Sequence, residues 1–175
     1  EGAPVQVVPT PTPQRPNTTP TPAGTTSDAG STAPLSGLPF AVGEQLNFNF
    51  YLANSAQPAG TASFQVRPRS KYFGRDGLLL AFRGQTTGII ARLFTANDQI
   101  NSYVDPATLV PFRTELNLQE GRRRTNQTLT IDQERGVALV TDKGTRIEIP
   151  VGTHDLISVF YALRSFNLSP PRRTA

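Results

Sequence analysis

The chain has 175 residues, of which 37% are hydrophobic, with a single His, no Cys, Met or Trp, and a formal net charge of +4. That length accommodates one ordinary domain plus a tail, and the missing Cys excludes disulfides, thiolate nucleophiles, Cys-based zinc sites and iron–sulfur ligation. No apolar run approaches the ~20 residues that a membrane-spanning helix requires, and the basic excess, mostly Arg, permits polyanion binding without demanding it.

Residues 1–37 are dominated by Pro, Thr, Gly, Ser and Ala with repeated Thr-Pro steps, a composition that has no hydrophobic period and favours extended, polyproline-like backbone. The segment reads as a disordered linker that spans roughly 35 Å as a coil and roughly 100 Å fully extended. It begins at Glu1 without an initiator Met, so a processed product with a removed export signal upstream is the expectation.

The folding region is expected over residues 38–169, with a short tail at 170–175. In "EQLNFNFYL" residues Leu46, Phe48, Phe50 and Leu52 share one face, the period of a half-buried strand. "GTASFQV" repeats the pattern through Ala62, Phe64 and Val66, and Pro58 and Gly60 in the intervening stretch predict a hairpin with a long loop. "RPRSKYFGRDG" reads as a polar turn region before the strand candidate "LLLAFRG". "TTGIIARLF" fits a buried strand and a helical turn equally well.

"DQINSYV" reads as a strand that stops at Asp105-Pro106, where Pro fixes φ. "FRTELNLQ" alternates through Phe112, Thr114, Leu116 and Leu118, and "TNQTLTID" returns antiparallel across the turn "EGRRR". "GVALVT" and "TRIEIP" flank "DKG", a compact hairpin signal. Only "THDLISVFYALRSF" breaks the period of two. Its stripe of Leu156, Ile157, Phe160, Leu163 and Phe166 predicts a helix with Thr153 as N-cap and Asp155 in the first turn. The fold class is therefore mainly β: a twisted, curved antiparallel sheet of half-barrel or spiral type with one C-terminal amphipathic helix.

Four stretches, "LPFAVGEQLNFNF", the Ala59-Gly60 pair, "SYVDPATLVPFR" and "HDLISVFYALR", occur in an order that resembles the domain-of-unknown-function family DUF3108, exported envelope proteins of Gram-negative bacteria. The resemblance covers residues 38–168. It implies a periplasmic or outer-envelope location, an antiparallel β-architecture with a single helix, and no assigned catalytic residues. It further implies strands beyond this helix, so the domain is expected to be the N-terminal portion of a larger one, with unpaired strand edges that invite self-association.

Candidate chemistry is sparse. His154 shares a helix face with Ser158 and neighbours Asp155, but Asp155 projects about 100° away around the helix and no nucleophile elbow exists, so a hydrolase is the weakest reading. One His and no Cys argue against a metal, and phosphate-cradling glycine motifs are absent. No catalytic residue, metal or cofactor is assigned. Two basic clusters are candidate ligand sites: Arg67, Arg69, Lys71 and Arg75 around Tyr72, and Arg122, Arg123 and Arg124 at a hairpin tip. Arg forks suit phosphates or carboxylates, and an adjacent aromatic stacks on a ring, while the ordinary reading of both is solvated, edge-protecting charge. Phe48, Phe50, Phe64, Phe82, Phe112 and Phe160 are the candidates to line an apolar groove between sheet and helix, with core packing the ordinary alternative.

The leading expectation is a non-enzymatic envelope domain that binds a glycan, a lipid or another envelope protein, or acts as a scaffold. The alternative is a polyanion-binding module using the Arg clusters, although no nucleic acid is expected as partner.

Overall fold

The structure, a computed structural model, describes residues 37–53 and 55–165. The linker residues 1–36, Phe166 of the expected helical stripe and the 170–175 tail lie outside the described residues. Among the described residues, nine antiparallel strands form one open sheet: β1 Gln45–Phe50, β2 Gly60–Val66, β3 Ser70–Tyr72, β4 Arg75–Thr86, β5 Asn97–Val104, β6 Pro111–Glu120, β7 Arg123–Asp132, β8 Val137–Val140 and β9 Thr145–Glu148. Except for β3, which pairs only with β4, their spatial order is their chain order, a meander from β1 to β9. Two helices among the described residues accompany it: α1 Gly88–Leu93 between β4 and β5, and α2 Leu156–Ser165 after β9. The expected single helix is therefore corrected to two, because the ambiguous "GIIARL" closes one short helical turn with Phe94 N–H bonded to Ile90 O.

The period-two pattern sorts the sheet into two faces. On one face Val66, Leu78, Leu80, Ile100 and Val104 meet Ile157, Tyr161 and Ala162 of α2, and Phe40, Val42 and Leu109 close the cluster. Phe40 packs edge-on against Tyr161 at 4.9 Å between centroids, which anchors the chain as it enters β1. Arg164 of α2 donates to Glu44 (Nη2 to Oε2, 3.1 Å) and ties the far end of the helix to the same segment leading into β1. Burying such side chains contributes ~1.5–3 kcal/mol each, so α2 is an integral part of the core rather than an appendage.

The helix register differs from the expected one. Asp155, not Thr153, is the N-cap: its Oδ1 accepts from the N–H groups of Ile157 (3.1 Å) and Ser158 (2.7 Å), while Ser158 Oγ accepts from the Asp155 N–H at 2.9 Å. This reciprocal box satisfies orphan donors at the helix start. Thr153 instead donates its hydroxyl to Pro150 O. With that start fixed, the buried face is Ile157, Ser158, Tyr161 and Ala162, and Leu156 and Leu163 of the expected stripe face solvent.

Two further expectations are corrected. The polar "RPRSKYFGRDG" contains a strand pair: Ser70 to Tyr72 run back on Arg75 to Gly77 across Phe73-Gly74, both with positive φ (52° and 79°), the geometry of a tight hairpin turn. The apolar face of β1 is not half-buried along its length, since Phe48 and Phe50 are exposed on this edge strand. Elsewhere the pattern holds. β5 ends at Val104, and the next residue, Asp105, accepts at Oδ1 from the N–H groups of Ala107 (2.9 Å) and Thr108 (3.0 Å) to form the β5–β6 turn.

Candidate functional site

The face turned away from α2 carries the arrangement of most chemical interest. In register across six strands stand Asn47, Ser63, Arg83, Gln99, Asn117 and Asn126. A parallel row holds Gln45, Gln65, Ala81, Asn101, Glu115 and Thr128, and a shorter one holds Asn49, Thr61, Gln85 and Asn97. Three shallow clefts of about 320, 360 and 580 Å³ open on this face; the first and second share Gln99 and Asn101, and the first and third share Ser63 and Arg83. Asn is disfavoured in strands, so its repetition at the solvent positions of β1, β5, β6 and β7 is the signal that marks this face. Read strand by strand, these residues are only the polar half of an alternation; register is what brings them into rows.

One end of the face is walled by aromatic rings. Tyr103 of β5 lies 5.2 Å from Tyr72 and 5.0 Å, edge-on, from Phe73. The Arg113 guanidinium sits 4.1 Å over the Phe73 ring and donates to Glu115 (Nε to Oε1, 2.9 Å), and the Tyr103 hydroxyl donates to Glu115 Oε2 at 3.1 Å. Burial, then the Glu115 charge, pushes the Tyr103 phenol up to about 12, so it remains a hydrogen-bond donor at neutral pH. Phe73 itself is exposed at the hairpin tip in a left-handed conformation that a bulky side chain rarely adopts.

The basic clusters named from sequence lie at opposite ends of the sheet. In the first, Arg69 is engaged in a two-pronged ion pair with Asp76, which holds the Asp76 carboxyl below the usual carboxylate range. Arg75 lies 4.8 Å over the Phe112 ring, Tyr72 donates its hydroxyl to Pro68 O, and Lys71 is exposed on β3. Arg67 lines the middle cleft together with Tyr72, Arg83, Gln65, Gln99 and Asn101. At the other end Arg122 occupies the β6–β7 turn while Arg123 and Arg124 begin β7, all three exposed.

The phenyl candidates separate. Phe64 stacks on Phe160 at 4.4 Å, lies 5.0 Å from Phe82 and meets Phe48 edge-on at 5.8 Å, so these four form a ladder beside α2, with Phe50 exposed beyond it. Phe112 is apart from them, buried with its ring against Gly77 beneath Arg75. An apolar cleft of about 340 Å³ opens instead beside the start of α2, between Leu116, Leu129, Ile131, Ala138, Ile149 and Leu156.

The His154, Ser158 and Asp155 side chains do converge. His154 Nδ1 lies 3.2 Å from Ser158 Oγ, but Ser158 is fully buried and its hydroxyl belongs to the capping box, while Asp155 Oδ2 accepts from Thr114. Among the described residues no group of His, Cys, Asp or Glu is disposed to hold a metal ion. None of the described helices is long and apolar enough to cross a membrane.

Comparison with curated proteins and with solved structures gives no match. Residues 47–174, from within β1 to beyond α2, match the family described as a protein of unknown function, DUF3108, and the chain belongs to that family.

Proposed function

We propose that the protein is a non-enzymatic, exported envelope domain that binds a glycan strand along its carboxamide-rich face. The observation that supports this reading is the six-strand row from Asn47 to Asn126. Adjacent strands lie about 4.8 Å apart, so the row presents donors and acceptors at a spacing close to the repeat of sugars in an extended polysaccharide. Each carboxamide offers two donors and an acceptor, the inventory that a vicinal diol matches. The aromatic wall of Tyr72, Phe73 and Tyr103 supplies an apolar face against which a sugar ring stacks, and Arg67 and Arg83, which form no ion pair among the described residues, suit an acidic substituent. The linker composition of residues 1–37 fits a domain that works at a distance from its attachment point.

Titration of isotopically labelled protein with soluble envelope oligosaccharides tests this reading. Shifts in the side-chain amide signals of Gln99, Asn101, Asn117 and Asn126, with binding weakened at least tenfold in the Gln99→Ala/Asn117→Ala variant, are expected. Binding that leaves those signals in place would remove the face from consideration. Fractionation of cells producing the natural full-length protein tests the envelope location, and recovery in the cytoplasm would refute it.

A further inference from the structure

We infer that the end of the sheet bearing α1 docks on an anionic bilayer surface, a role independent of the carboxamide face. The helix α1 has the sequence Gly-Ile-Ile-Ala-Arg-Leu and buries none of its residues. Ile89 and Leu93 are 74% and 79% exposed, and Phe50, Leu52 and Phe94 are each more than half exposed. Scattered exposed apolar side chains are ordinary, whereas contiguous ones rimmed by charge mark a contact surface.

The hydrogen bonding makes these residues contiguous. Leu52 and Pro58 of the β1–β2 loop share a cleft of about 380 Å³ with Ile89 and Ile90 of α1, and Thr87 pins the same loop, its hydroxyl donating to Pro58 O at 2.7 Å. On the other side of α1, Phe94 lies against Gly121 in the β6–β7 turn, Gly121 N–H donates to Thr95 O, and Ala96 bridges to Glu120. The Arg122 turn and the first residues of β7 are thereby held beside the apolar tip, and Arg92 of α1 adds a fourth guanidinium. None of these four arginines forms an ion pair among the described residues. Acids near this end include Glu120, opposite Arg123, Asp98, whose carboxylate accepts from the Gln119 N–H, and Asp142, which lines a cleft with Asn117 and Asn126.

The charge selects the occupant. A second copy of the chain would bring four arginines against four, which disfavours self-pairing. An anionic bilayer satisfies both parts at once: the apolar tip of Ile89, Leu93 and Phe94 enters the headgroup–acyl boundary, and the guanidiniums meet phosphates, each raising partition roughly fivefold near the surface.

The protein contains no Trp, so Leu93→Trp places a single tryptophan, excited selectively over the tyrosines, at the tip. Added to vesicles of phosphatidylcholine mixed with phosphatidylglycerol, the whole chain carrying this substitution should show a blue-shifted emission that is weak with phosphatidylcholine alone and fades with added salt. Ile89→Ser/Phe94→Ser and Arg122→Ser/Arg123→Ser/Arg124→Ser, each in the same background, should reduce partition at least tenfold. Because these side chains are exposed, unchanged circular dichroism melts are expected; should a variant melt early, the Leu93→Trp reporter decides alone. No spectral change with anionic vesicles, or partition in both variants undiminished from that of the Leu93→Trp parent, overturns the inference. So does a concentration-dependent blue shift in the absence of lipid, which would mean that a second copy covers the tip.

Discussion

The Thr114 hydroxyl donates to Asp155 Oδ2 at 2.5 Å, so the carboxylate that caps α2 is also the one that fastens the helix to the middle of β6. The two oxygens divide the work, Oδ1 for the helix backbone and Oδ2 for the strand. Asp155→Ala is expected to lower stability by about 3 kcal/mol, combining a lost cap with a lost charge-assisted bond. Thr114→Val should cost about 1.5 kcal/mol. Chemical denaturation of the double variant should give less than the sum, and strict additivity would show that the pair does not act as one unit.

Tyr161 is fully buried, and its hydroxyl has no hydrogen-bond partner among the described residues. Burial, with Glu44 nearby, pushes its phenol up to about 12. The unfolded phenol ionises near 10, so the folded state holds a proton that the unfolded chain releases between about 10 and 12. Stability is therefore fully present below pH ~10 and falls as the pH rises towards 12. Tyr161→Phe should shallow that alkaline loss and, by removing an unsatisfied buried group, raise stability at neutral pH by about 1 kcal/mol. Tyr103→Phe should also shallow the alkaline loss, yet lower neutral stability by about 1 kcal/mol, because it removes the bond to Glu115. Denaturation curves across pH 7 to 12 distinguish the two; equal effects at neutral pH would contradict the assignment of their hydroxyls.

Gly136 has φ +63°, and a Cβ there would lie 2.7 Å from the Ile149 carbonyl oxygen. Gly144 has nearly the same φ, +62°, but open space around it. Gly144→Ala should cost about 1 kcal/mol for the left-handed backbone alone, and Gly136→Ala at least about 2 kcal/mol, since backbone must also move. Similar melting temperatures for the two variants would count against the close approach.

Phe73 carries its ring between Arg113 and Tyr103 at an exposed turn. Phe73→Ala is expected to change stability by under about 1 kcal/mol while weakening oligosaccharide binding about tenfold. An unaltered isotherm would confine the ring to a local packing role.

Much of the sheet was legible because alternation survives wherever one face is buried: Ala62, Phe64 and Val66, or Thr114, Leu116 and Leu118, announce their strands. Short "GIIARL" is not, since six residues with one polar side chain, Arg92, fit either period, and here neither period buries them. The β3–β4 hairpin carries no hairpin-turn signal in the sequence because its turn uses Phe73 at positive φ where Asn or Gly is usual. The α2 register differs from the sequence pattern at Ser158, a small polar residue that occupies a core position because its hydroxyl is consumed by the cap. The carboxamide rows were invisible for a different reason: each Asn or Gln is unremarkable within its own strand, and only cross-strand register, which no single segment encodes, aligns them.

The position of α2 in the chain bears on biosynthesis. As the polypeptide emerges from its amino end, each hairpin of the meander finds its neighbour at once, but Val66, Leu80 and Ile100 stay wet until Ile157 and Tyr161 arrive, after all nine strands. A nascent chain from which this helix has not yet emerged is a sheet with one greasy side, and its lasting assembly waits until α2 can fold back across it.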